Sequence, residues 1–542
     1  MIDAPPSRRE KLAVVACSAA ASFVAIAWSW THHAMLNYGD AVAHLHIARR
    51  VFDSRHPAYS QLGSVWLPLP HVLMMPLVAV YAWWANGIAG LIPSALAWLA
   101  ACYGIYRLAR HWLQPAPAAV ALAFFALNPN LLYMQTTAMT EPLFVCEMAW
   151  TAVWLVEWRA SLDDGAEGRT RRLTWLLAMV LVASVYTRYD GWIMTLLAWC
   201  GMGVMLLRRG RLRSRTFWLA SVVVVAAPLV WFGYNQFVFG DWLDFARGPY
   251  SAKAIELRTA LPGGPPHPGW HNMWVSFLFF VKTAMLDAAA EQWGGWLIAA
   301  SLLGVLWGLL TARKRAFGWS LILWLPVPFY AYSVAYGSVP IFLPVWWPHS
   351  YYNTRYGLEM LPALAIAMGF AASFLLAAVK EFQPRWTRAA TIVLFAVLGA
   401  NLGLMLKHRA LVYVESTKNI DARRSYEQDI PPVLRHVLAS RQGAPVLMVT
   451  SVYPDLVAFT GIPLRETINE GDQKQWRDAL AAPAEHAAVV LAFAGDPVAQ
   501  AVGDHPQGLQ LVARFSAPTQ PAAALYVSDT WNGARGTGDE KR

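Results

Sequence analysis

"LNYGDAVAHLHIARRVFDSRHPAYSQLGSVWLPLPHVLM" occupies residues 36–74, directly after the first long apolar stretch of the chain. It holds two Asp, four His and three Arg in a sequence that is 57% hydrophobic and only 14% charged. Soluble proteins carry about 25% charged residues, so most of this chain is suited to a lipid solvent. The stretch itself reads as the first polar loop beyond a membrane crossing at residues 12–31.

A spanning helix needs roughly 20 mainly apolar residues. Eleven segments meet that need: 12–31, 88–108, 116–134, 142–158, 173–187, 191–207, 216–237, 293–311, 317–333, 357–378 and 389–407. With the amino terminus in the cytoplasm, the inner connections are 107–115, 159–172, 208–215, 312–316 and 379–388. These carry the basic clusters, including "RRGRLRSR" (208–215) and "ARKR" (312–315). The outer connections 135–141, 188–190 and 334–356 hold few basic residues, as positive-inside topology requires. The formal charge of +10 is thereby accounted for without a nucleic-acid partner. The 28 Trp and 20 Tyr suit side chains that settle at membrane–water boundaries. "MIDAPPSRREK", followed by an apolar run longer than a signal peptide needs, reads as the start of a retained signal anchor. Two further apolar stretches, 66–84 and 274–293, are interrupted by Pro or by Lys282 and Asp287. They read as interfacial or re-entrant helices, the former inside a large first outer loop.

Composition changes after about residue 410. "PVLMVTS" (445–451), "AAVVLAF" (487–493), "LQLVARF" and "AALYVS" read as strands, and "PVLRHVLAS" and "KQWRDALAA" as helices. The expectation is an all-α polytopic membrane protein with a small carboxy-terminal α/β soluble domain. The transmembrane domain covers 1–409, and the extracytoplasmic domain covers 410–542. The final "NGARGTGDEKR" reads as disordered.

On this topology the polar residues not needed for orientation share the outer face: Asp40, Glu141, Arg188, Asp190 and Arg355. Each also has a local explanation. Asp40 suits a helix N-cap, Glu141-Pro142 a helix start, Arg188 and Asp190 a local ion pair, and Arg355 an anchor that snorkels. Asp40 and His44 lie four apart, on one helical face, which suits an acid/base or metal pair. Cys17, Cys102, Cys146 and Cys200 lie in apolar runs with no metal-ligand spacing.

"YGDAVAHLHIARR", "LPLPH", "MTEPLF", "TRYDGW" and "NTRYGLEMLP" together resemble the C-type integral-membrane glycosyltransferases. Within these, the chain is similar to the protein O-mannosyltransferase and aminoarabinose lipid A transferase branch, over roughly residues 10–405. The resemblance implies a polyprenyl-phosphate-linked sugar as donor, a protein or glycolipid acceptor, and inversion at the anomeric carbon. It implies Asp40 as base and Glu141 as a second acid that orients acceptor or sugar. Arg188 and Arg355 would bind donor phosphate, with His44, Asp190 and Tyr352 in support; His71 and Lys282 are the next candidates for phosphate. The family often has paired acids after the first span, where this chain reads Asp40-Ala41-Val42. No cofactor is assigned, and a divalent metal stays open. The implied location is a bacterial inner membrane, with the site and carboxy-terminal domain facing the periplasm. The rivals are a transporter or flippase of lipid-linked sugars, whose pathway would carry intramembrane charges, and a non-catalytic envelope assembly protein.

Overall fold

The computed structural model describes residues 6–259, 264–312, 316–441, 443–451, 453, 455–472, 474–518 and 520–531. The tail expected to be disordered, 532–542, lies outside them. The chain forms two compact units. One comprises Met1–Ala34, Ser64–Pro70 and Leu91–Glu415; the other comprises Met35–Gly63, His71–Gly90 and Ser416–Arg542.

The first unit is helical. Its first helix, Arg8–Thr31, begins with a capping box: Ser7 Oγ accepts from the Glu10 amide at 3.2 Å, and Glu10 Oε2 from the Ser7 amide at 2.7 Å. Across the chain, eight helices among the described residues are long and apolar enough to cross a bilayer: Arg8–Thr31, Ile88–Arg110, Tyr189–Arg208, Arg215–Phe239, Glu291–Ala312, Phe317–Tyr336, Thr354–Phe382 and Pro384–Ala439. The apolar part of the last one ends at Lys407, and the polar helix Leu411–Ala439 follows. This is a multi-pass membrane protein.

Three expected spans look different in detail. Residues 142–158 and 173–187 lie in helices Glu141–Asp163 and Glu167–Thr187, which have the length but carry more charge than an apolar span. Residues 116–134 are broken into Pro115–Ala126 and Pro129–Met134. There Asn128 caps the second piece, accepting from the amides of Asn130 and Leu131, and Pro129 cannot donate to the preceding turn. The two interrupted stretches form short helices, Leu69–Val78 with Tyr81–Asn86, and Met273–Ala288. Small residues let helices approach closely. A Cβ on Gly304 would overlap the Ala367 carbonyl, so helices Gly294–Ala312 and Leu361–Phe382 pack backbone to backbone there.

The second unit contains a five-stranded sheet: β1 (Val446–Leu447), β2 (Thr467–Ile468), β3 (Val489–Phe493), β4 (Leu509–Phe515) and β5 (Ala523–Ser528), in the order β2-β1-β3-β5-β4. β1 runs parallel to β2 and β3, while β5 runs antiparallel to β3 and β4. All five residues of β3 are buried, as a central strand covered on both faces requires. Leu447, Ile468, Ala479, Val490 and Val498 form the core beneath it. The four expected strands and both expected helices are present; the two-residue β2 is an addition.

Candidate active site

In the first unit, four separated segments bring charged side chains into one buried cluster. Glu141 is the first residue of helix Glu141–Asp163 and is 1% exposed. Arg188 stands in extended conformation (φ −151°, ψ 154°) as the single link between helices Glu167–Thr187 and Tyr189–Arg208. Gly191 permits that tight reversal, because a Cβ there would overlap the Ser184 carbonyl. Arg355 lies in the 3₁₀ helix Thr354–Met360, which Asn353 opens in the left-handed region at φ 56°. Asn tolerates that region better than most residues, and its Nδ2 donates to the Pro340 carbonyl at 2.9 Å.

The two guanidinium groups meet four carboxylates. Arg188 Nη1 donates to Glu141 Oε1 at 3.3 Å and to Thr140 Oγ1 at 3.0 Å; its Nε donates to Asp190 Oδ2 at 3.3 Å. Its Nη2 lies 3.0 Å from Glu359 Oε1 and donates to the Tyr330 hydroxyl at 2.6 Å. Tyr330 in turn donates to Glu359 Oε1 at 2.7 Å. Arg355 Nε donates to Glu141 Oε1 at 3.0 Å, and its Nη1 to Glu415 Oε1 at 3.4 Å. Glu415 also accepts from the amides of Asn353 and Thr354 and from the Thr354 hydroxyl. The Tyr356 ring lies 5.2 Å from the Arg188 guanidinium and 5.1 Å from that of Arg355, which favours both cations.

Glu141 is therefore fixed through one oxygen by two arginines, while its Oε2 has no hydrogen-bond partner among the described residues. A buried acceptor left unused costs about 1–3 kcal/mol, so this oxygen is suited to a ligand hydroxyl. The helix-start and ion-pair explanations are both visible here, yet neither accounts for one carboxylate held by guanidinium groups 167 positions apart in sequence (355 against 188). The cluster also adds Tyr330, Glu359, Glu415 and Thr140 to the residues singled out from sequence. Tyr352 is 44% exposed and pairs through its backbone with Phe342. Lys282 pairs with Glu291 at 3.3 Å.

The second unit holds Asp40, His44 and His71. Asp40 is the second residue of helix Gly39–Arg50, whose N-cap position falls at Tyr38, with no side-chain capping bond. It is therefore not the N-cap residue, although its charge suits the helix's first turn. His44 Nδ1 and His71 Nε2 are 2.8 Å apart, and both rings are buried. Among the described residues no group of three or more His, Cys, Asp or Glu could hold a metal ion.

On helix Leu411–Ala439, Arg423 Nε lies 3.6 Å from Glu427 Oε1, and its Nη1 lies 3.1 Å from Asp455 Oδ2. Burial, with a side-chain hydrogen bond to Asp455 and its charge, pushes the Glu427 carboxyl up to about 9. The native state thus holds this proton more tightly than the unfolded chain does. Stability from it is full below the ordinary value of 4.5 and is lost as pH rises toward 9. The thermal midpoint of the protein should fall between about pH 6 and pH 9, and Glu427→Gln should flatten that fall. An unchanged slope in the variant would place the titrating group elsewhere.

No protein-family model matches the sequence, and no curated protein matches it. Solved structures do match. One is the crystal structure of ArnT from Cupriavidus metallidurans bound to undecaprenyl phosphate, with a TM-score of 0.58, 15% identity, and coverage of 96% of this chain and 98% of that one. The apo state of the same protein matches with a TM-score of 0.54 at 15% identity, covering 94% and 97%. The chain thus shares the fold of ArnT, the fold its motifs led us to expect.

Proposed function

We propose that the chain is a membrane glycosyltransferase that moves a sugar from a polyprenyl-phosphate donor to an acceptor hydroxyl or phosphate, with inversion. The carrying observation is the Glu141 carboxylate, immobilised through one oxygen by Arg188 and Arg355 while the other has no hydrogen-bond partner among the described residues. Such a group orients a sugar or acceptor hydroxyl without reorganising during reaction. The ArnT likeness supports a lipid-linked donor, since that structure is bound to undecaprenyl phosphate.

In this proposal Asp40 is the base. A carboxylate within hydrogen-bond reach of the acceptor hydroxyl takes its proton as the new C–O bond forms and the bond to phosphate breaks. Glu141 orients the sugar or acceptor. Arg355 contacts the departing phosphate, whose negative charge grows as the anomeric carbon leaves it. Arg188 makes five polar contacts, three of them to carboxylates. For phosphate to reach it, a carboxylate must give way, so we assign it chiefly to holding Glu141 and Asp190. His44, His71 and Tyr352 are supporting contacts. The site and the carboxy-terminal domain face the periplasm of a bacterial inner membrane, in keeping with the basic inner loops.

Two observations favour the transporter alternative. The helix pair Pro115–Ala126 and Pro129–Met134 is broken, and Glu147 is buried within helix Glu141–Asp163; both are features of transport pathways. Lipid analysis of a deletion strain tests the two. Loss of the transferase should raise the pool of one polyprenyl-phosphate sugar and abolish one sugar-modified product. An unchanged lipid pool together with an intact set of glycosylated products would contradict the proposal.

A further inference from the structure

The second unit joins residues 35–63 and 71–90 to the carboxy-terminal sheet domain. Arg55, Gln61 and Tyr81 donate to the carbonyls of Thr467, Gly471 and Ala458, and a separate group of bonds gathers at the start of the Asp40 helix. Arg423 Nη2 donates to the carbonyls of Leu36 and Asn37, at 3.2 Å each. The Gly39 amide donates to Asn419 Oδ1 at 2.9 Å. The Asn37 side chain donates to the Ser416 hydroxyl at 3.4 Å. Ser416, Asn419 and Arg423 lie at spacings of three and four on helix Leu411–Ala439, so one face of that helix makes all three contacts. A Cβ on Gly39 would stand 3.3 Å from both Arg423 Nη1 and Asn419 Oδ1, so the backbone fits closely against this face.

Arg423 is 7% exposed, and its Nη1 lies 3.1 Å from Asp455 Oδ2. A surface arginine would need no such support. Here the guanidinium has a fixed orientation, with one nitrogen on two successive carbonyls and another on a carboxylate. Helix Gly39–Arg50 lacks a side-chain cap of its own, so its entry geometry depends on these outside contacts.

We infer that Arg423, with Asn419, is a positioning residue for Asp40: the carboxy-terminal domain sets the angle at which the Asp40 helix begins. The inference rests on the assignment of Asp40 as base under Proposed function. Displacing a catalytic group by about 1 Å can cost on the order of 10²-fold in rate.

The test uses the full chain in lipid nanodiscs. Its donor is the polyprenyl-phosphate sugar pool extracted from the deletion strain, and the acceptor is supplied by membranes of the same strain. Arg423→Gln should lower kcat by roughly 10- to 100-fold while donor KM stays within about twofold. Arg423→Lys, which keeps a donor to one carbonyl, should recover part of the loss. Hydrogen exchange of the amides of residues 38–42 should quicken in Arg423→Gln while that of β3 stays unchanged. If Arg423→Gln fails to fold, Asn419→Ala removes only the acceptor for Gly39 and should show the same pattern more weakly. Wild-type kcat in the folded variants, or equal loss of protection at 38–42 and in β3, would overturn the inference. Asp40→Asn in parallel separates the two claims. An inactive Asp40→Asn beside a fully active Arg423→Gln sinks only the positioning role, whereas an active Asp40→Asn sinks the base assignment and the positioning role with it.

Discussion

Asp40→Asn is expected to lower sugar transfer by roughly 10²- to 10⁴-fold, the range lost when a proton acceptor is removed from a transition state. Asn has nearly the same shape and fits the first helical turn, but it does not take the acceptor proton. The helix start is held by the Gly39 amide on Asn419 and by Arg423 on the carbonyls of Leu36 and Asn37, none of which uses the Asp40 side chain. The fold should therefore persist in the variant, because these contacts stay in place. Turnover and thermal midpoint of the purified variant in lipid check both halves. A variant with near-wild-type turnover would remove Asp40 as the base.

The second large effect separates the two arginines. Arg188→Gln withdraws the cation from Glu141, Asp190 and Glu359 together. Breaking a buried ion pair by removing one partner costs about 3–5 kcal/mol, because the remaining charge is left without compensation. This variant should show a markedly lower thermal midpoint and poor yield. Arg355→Gln leaves Arg188 on Glu141, so the fold should persist while donor KM rises more than acceptor KM. Arg355→Lys should fall between, since an ammonium cannot reproduce the planar fork that now serves Glu141 and Glu415. Unaltered donor KM in both Arg355 variants would move the phosphate contact elsewhere, to His71 or Lys282 first. A fully stable Arg188→Gln would show that its carboxylates are neutralised by other means.

The membrane-spanning architecture was legible because it follows from apolar length and from Arg placement, both local properties of the chain. The break at Asn128-Pro129 was also written locally, as a capping residue followed by Pro, but the surrounding apolar residues outweigh it in any window long enough to find a span. The two-residue strand Thr467–Ile468 has no period to detect; it exists because β1 offers a parallel edge. Glu141, Arg188, Asp190 and Arg355 stood out as charges beside apolar runs, and the structure does bring these four together. Tyr330 did not stand out, since "PVPFYAYSVAY" is aromatic throughout and only packing selects the hydroxyl that bridges Arg188 and Glu359. Glu359 follows Arg355 by four positions, inside the span expected at 357–378, and was not singled out. Arg423 lies 387 positions from Leu36, and no spacing rule links a helix in a carboxy-terminal domain to the loop behind the first span.

The central claim is chemical conversion of a lipid-linked sugar, which a flippase or an assembly protein does not perform. The most direct measurement incubates the purified chain in nanodiscs with polyprenyl-phosphate sugar extracted from the deletion strain, plus that strain's membranes as acceptor, and follows the lipids by mass spectrometry. Transfer predicts that the sugar-bearing lipid declines while free polyprenyl phosphate rises in equal amount, that an acceptor gains the mass of the sugar, and that Asp40→Asn abolishes all three changes. A sugar-bearing lipid pool that stays chemically intact with active, folded protein would contradict the account.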